Sequence, residues 1–112
     1  MSEVYVTPQH EWILFDENKA TIGLIGSALA GDIVYIELPA IGQTVEMGVP
    51  CASVESTKLV YEVHAPASGV ISAVNDTVYD DPDSVAKSRA WLFTVEFHVK
   101  PDTSGWQREN ES

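Results

Sequence analysis

The strongest constraint on this chain is a period of two. Short runs that alternate apolar and polar residues, rich in β-branched and aromatic side chains, recur at EWILF (residues 11–15), ATIGLI (20–25), IVYIEL (33–38), 52–56, 59–63, GVISAV (69–74) and 91–99. Successive side chains of a strand point to opposite faces, so such runs assemble into sheets with one face buried. Turn chemistry separates them: DENK from Asp16, PAIG from Pro39, MGVP from Met47, APASG from Ala65 and NDT from Asn75. Two short helical turns are predicted, one at residues 27–30 closed by Gly31, the other at 81–87, where an acidic residue precedes Pro82 in the first turn. Neither is long enough to organise the fold, so the chain is predicted to be all-β.

Charge narrows the partners. Six Lys+Arg against seventeen Asp+Glu, a formal charge of -11, repels phosphate backbones and anionic bilayers and favours encounter with basic protein surfaces. No nucleic-acid or membrane partner is expected. A single cysteine, Cys51, cannot staple the fold or build a Cys-rich metal site, and beside Pro50 it is expected to be a small buried hydrophobe rather than a reactive thiol. The start MSEVYV lacks the basic region and apolar run of a signal peptide, so the expected location is cytoplasmic. No G-x-S-x-G elbow, G-x-x-x-x-G-K phosphate loop or H-x-x-x-H pair is present, and neither a catalytic nor a metal site is expected. One domain over residues 1–100 is expected, followed by a polar tail at 101–112 that carries no period and is expected to fray. Trp106 is the exception in that tail and is expected to anchor on the body of the domain.

A weak repeat flanks one lysine. GDIV from Gly31 leads to Thr44 and Val45, and GVIS from Gly69 leads to Thr77 and Val78, which suggests a quasi-twofold sandwich around the stretch VESTKLVYEV (54–63). That stretch reads as a hairpin with Thr57 and Lys58 at its tip. Neither is Gly or Asn, so a type I turn fits better than the primed turns that need positive φ. Three roles are open to Lys58 on these grounds. It is a solvated turn lysine, an activated amine, or an acceptor for a covalent group. Activation needs burial or a second cation, whereas the neighbours are Glu55 and Glu62, which act the other way. An exposed primary amine on a rigid turn suits an acylating enzyme, and acylation removes its charge.

The segments YVTPQHEW from Tyr5, ATIG from Ala20, GDIVYIELPAIG from Gly31, VESTK from Val54, APASG from Ala65, Val74-Asn75 and WLF from Trp91 fall in the order and nearly the spacing of the glycine cleavage H-protein family, which the chain resembles. The resemblance implies a flattened, quasi-symmetric β-sandwich or barrel of the biotinyl/lipoyl hammerhead type. It implies that lipoate is joined by an amide to Lys58, within the attachment hairpin Glu55, Ser56 and Thr57. Biotin acceptors of this fold carry Met on both sides of the lysine; here the flanks are Thr57 and Leu59. A non-catalytic carrier is implied, acylated by a lipoate ligase or a lipoyl/octanoyl transferase. It would serve glycine decarboxylase, aminomethyltransferase and dihydrolipoamide dehydrogenase in turn. The family's loaded arm folds back into a cleft, and the resemblance places Glu11, with His10 beside it, and Glu62 there.

The match has departures. Lys58 is followed by Leu59, Val60 and Tyr61, where the family usually has small residues; the P-Y-G-x-G segment before Trp91 and the family's C-terminal helix have no counterpart. Two other readings follow from these departures. One is an H-like lipoyl carrier that relays lipoate or serves another oxidative pathway such as sulfur oxidation; the other is a non-lipoylated β-sandwich that acts as an interaction module.

Overall fold

A computed structural model describes residues 3–109. Among the described residues ten strands form two sheets: β1 (Glu3–Val6), β2 (Glu11–Asp16), β3 (Lys19–Leu24), β4 (Ile33–Glu37), β5 (Thr44–Val45), β6 (Pro50–Ser56), β7 (Val60–His64), β8 (Gly69–Val74), β9 (Trp91–Glu96) and β10 (Gln107–Arg108). The larger sheet runs β10-β1-β2-β3-β9-β8-β5 and the smaller β4-β6-β7, with every pairing antiparallel. The body is flattened, 37 × 36 × 21 Å. The all-β sandwich expected from the alternating runs is thus what forms.

The alternation explains the core. In β2, Glu11, Ile13 and Phe15 are buried while Trp12 and Leu14 are half-buried; in β3 and β9, Ala20, Ile22, Phe93 and Val95 lie against them. From the smaller sheet, Ile36, Val54 and Val63 close the core. Two of these, Val54 and Val63, are wholly inaccessible to solvent. Removing Val-sized side chains from water is worth roughly 1.5–3 kcal/mol each, so this packing, rather than turn propensity, holds the sheets together.

The helical turns are short, as expected: a 3₁₀ turn at Gly26–Ala28 and α1 at Ser84–Lys87. A second 3₁₀ turn at Asp76–Tyr79 occupies the stretch where NDT had signalled only a break, and it delivers Val78 to the core. The two repeat-like segments enter different sheets, β4 from Gly31 and β8 from Gly69, yet Val45 and Val78 are both buried. The segment expected to fray from Pro101 instead returns to the body. Its β10 pairs with Tyr5 and Val6, and Glu109 donates its N–H to the Val4 carbonyl at 2.8 Å. The physical reason is Trp106, which stacks on Phe15 at 6.1 Å and meets Tyr5 edge-on. Residues 110–112 of that expected tail lie outside the described residues. Among the described residues no helix is long and apolar enough to cross a membrane.

Candidate functional site

Lys58 sits at the tip of the β6–β7 hairpin, where Glu55 faces Val60 and the Ser56 N–H donates to the Leu59 carbonyl at 2.8 Å. The Ser56 side chain organises this tip. It is only 4% exposed, and its hydroxyl accepts the N–H groups of Lys58 (3.1 Å) and Leu59 (3.0 Å) while donating to the Leu59 carbonyl. A hydroxyl that satisfies the turn's own backbone fixes its shape. Neither Thr57 nor Lys58 has positive φ, in keeping with the turn type their identities predict.

A second clasp holds the tip from below. Thr57 donates its N–H to the Asp32 carbonyl (2.9 Å), and Asp32 donates its own to Thr57 Oγ1 (3.3 Å). Beside it, the Tyr61 hydroxyl accepts the Ala30 N–H at 2.8 Å. Gly31, between these contacts, has φ of +82°, and a Cβ there would run into Thr57 Oγ1. Gly31→Ala is therefore expected to cost about 1–2 kcal/mol for the left-handed backbone alone. Because the clash falls on the clasp, acylation of Lys58 is expected to slow severalfold while the far-ultraviolet circular dichroism keeps its β signature. An unchanged acylation rate would remove the clasp from the site.

The Lys58 side chain is exposed and, among the described residues, has no hydrogen bond or ion pair. Glu55 and Glu62 are exposed too and do not pair with it. Around the tip, Leu59, Val60 and Tyr35 expose more than half of their surface, and Tyr35 and Val60 flank Glu55 across the three strands.

Glu11 belongs to a different place, the far end of β7. Lys58 and His64 are six positions apart, roughly 20 Å of extended strand. Far from a solvated strand residue, Glu11 is 2% exposed. Its Oε1 accepts the Thr7 hydroxyl (3.1 Å), and its Oε2 accepts the His64 backbone N–H (2.9 Å) and lies 2.8 Å from His64 Nδ1. Thr7, Glu11, Met47, His64 and Trp106 line a cleft of about 210 Å³. Carboxylate, imidazole and indole together suit a small cation whose charge Glu11 answers. His10 turns away: it is exposed, with φ of +62° at the tight turn that starts β2, and does not line the cleft. Glu62, opposite Ser53 and two residues before His64, is likewise exposed and outside the lining. Burial, together with the negative charge of Glu11, pushes the Cys51 thiol up to about 11, so at neutral pH it is an inert, protonated group.

Sequence reasoning left Thr7 and His64 out of the site. Thr7 stands four residues before Glu11, in a turn that Pro8 makes legible, but His64 is 53 residues away and no motif marks it.

A model of the glycine cleavage H-protein family matches residues 4–111. The glycine cleavage system H protein of Thermobifida fusca is 39% identical over 105 residues, covering 89% of this chain and 83% of the relative. That of Brevibacillus brevis is 43% identical over 93 residues, covering 79% and 74%. Among solved structures, a glycine cleavage system H protein from Mycobacterium marinum superposes with a TM-score of 0.78 at 34% identity, covering 88% of this chain and 87% of its own.

Proposed function

The chain belongs to the glycine cleavage H-protein family, and from that membership we propose that it is the lipoyl carrier of a glycine cleavage system, with lipoate joined to Nζ of Lys58. The observation that supports this most is the state of the amine itself, unpaired on an exposed tip whose backbone is held on two sides. An acceptor of this kind fits the group, since no ion pair must break before an amide forms, and the charge lost on acylation leaves no partner uncompensated. When bound, the lipoyl group supplies two sulfurs that take up a one-carbon amine and return electrons to an oxidant.

The chain's own residues do the rest. Ser56 and Thr57 present Lys58 in one geometry to a lipoate ligase or a lipoyl/octanoyl transferase. Glu11, fixed by Thr7 and His64, offers a buried carboxylate to a carried ammonium, and Trp106 lines the same cleft. The role is carriage rather than catalysis, in the cytoplasm, between glycine decarboxylase, aminomethyltransferase and dihydrolipoamide dehydrogenase. One tether serves all three, because attachment keeps the carried group at high effective concentration at each docked enzyme.

The test is carbon dioxide release from glycine by a glycine decarboxylase. The lipoylated chain is expected to support it in proportion to its concentration, and the unmodified chain not at all. A lipoylated chain that is reduced and reoxidised by dihydrolipoamide dehydrogenase but supports no release would place the carrier in another pathway.

A further inference from the structure

β4 is an edge strand of the smaller sheet, paired with β6 on one side only. Along its open side runs a groove of about 440 Å³, continued by Val78, Tyr79 and Pro82. Consecutive residues 34–38 all line it. The register of β4 against β6 shifts between Ile33 and Tyr35, but from Tyr35 onward side chains alternate between faces, so a groove lined by Tyr35, Ile36, Glu37 and Leu38 in a row follows the backbone edge rather than either face. Among the described residues, no backbone or side-chain group bonds the outward N–H and C=O groups of residues 34–37; only at the groove's end does the Leu38 N–H donate to the Tyr79 hydroxyl, at 3.2 Å. Such an edge is a template for another strand.

The groove walls state what kind of strand. Val34, Tyr35 and Tyr79 each expose more than a third of their surface, which offers apolar contacts to alternate side chains of an incoming segment. Glu37 lines the groove, and Asp80 and Asp81 join its lining residues Tyr79 and Pro82 along the chain; all three are exposed and without an ion pair among the described residues. Among the described residues no Lys or Arg lines the groove. We propose that the β4 edge is a docking site for an extended segment of a partner protein that alternates apolar with basic residues and adds itself to the smaller sheet as a fourth strand. Backbone hydrogen bonds provide the affinity, and the acidic rim selects the charge. A second copy of this chain fits poorly, since two edges of a chain with a charge of -11 repel. Docking here sets a partner beside the lysine, because β4 begins at Ile33, opposite Ser56 and next to the Asp32–Thr57 clasp. The site does not depend on acylation of Lys58.

The experiment titrates the unmodified, isotope-labelled full chain with a blocked seven-residue peptide of alternating valine and lysine, read by amide chemical shifts. Saturable shifts are expected at residues 34–37 and 78–79, weakening as salt rises. A peptide N-methylated at alternate residues is expected to bind roughly tenfold more weakly, the effect of about two lost backbone hydrogen bonds. The Asp80→Asn/Asp81→Asn double variant is expected to weaken binding severalfold without changing the free spectrum elsewhere. Equal binding of the N-methylated peptide, shifts confined to other strands, or concentration-dependent shifts at β4 without peptide would each overturn the proposal. None of these outcomes bears on lipoylation, which the carbon dioxide assay reads separately.

Discussion

Lys58→Ala is expected to lose carrier activity to background, with no lipoyl increment, while its thermal midpoint stays within about 4 °C of the parent. The two halves of this expectation have different causes. Activity disappears because the only amine presented by the hairpin tip is gone. Stability persists because the tip is held by other atoms: the Ser56 hydroxyl, the Lys58 backbone N–H and the Asp32–Thr57 pair, none of which belongs to the lysine side chain. Lys58→Arg sharpens the test, since it keeps the positive charge but offers a guanidinium in place of the acylatable amine. It is expected to be as inactive as the alanine variant. An unfolded Lys58→Ala would contradict the exposed tip, and residual activity would move the attachment point elsewhere.

Glu11→Ala is expected to cost about 3 kcal/mol of stability, a fall of roughly 10–15 °C in thermal midpoint. The substitution removes the acceptor of the Thr7 hydroxyl and of both His64 donors, and leaves those groups facing a methyl in a buried place. Orphaned donors cost more than the bonds themselves contribute. Glu11→Gln separates structure from charge. Its carbonyl oxygen accepts from His64 and its amide donates to Thr7, so most of the stability is expected to return. The negative charge does not return, and the lipoylated variant is expected to lose its carried aminomethyl group to water several times faster than the parent. Chemical denaturation reads the first effect and ammonia release the second. A release rate equal to that of the parent would take the cleft out of the carrier's work.

The strands that carry the fold were legible where the period of two was long enough to count. GVISAV forms β8 over the residues its pattern marks, and EWILF and ATIGLI lie within β2 and β3 to within a residue. β1, β5 and β10 were not legible, at four, two and two residues, because so short a run cannot display a period. β10 exists only through contacts with the opposite end of the chain, where Trp106 lands on Tyr5 and Phe15, and local composition there signals a tail. The hairpin tip was legible for a local reason: Thr57 and Lys58, neither of them Gly, restrict the turn. What the sequence left hidden was the clasp beneath it, since Asp32 and Tyr61 reach the tip through tertiary contacts. The cleft shows the same limit. Resemblance picked out Glu11, but its burial and its His64 partner come from strands that meet only in the folded sheet, and the same geometry turns His10 and Glu62 outward.

The most direct measurement is the intact mass of the protein after incubation with lipoate, ATP and a lipoate ligase, followed by fragmentation to locate any added mass. A single lipoyl increment at Lys58 is the predicted result, and it would fix the carrier's attachment point on the held, exposed amine. No increment on the folded protein, or one on any other lysine, would contradict the account and leave Lys58 a solvated turn residue on a sandwich that carries nothing there.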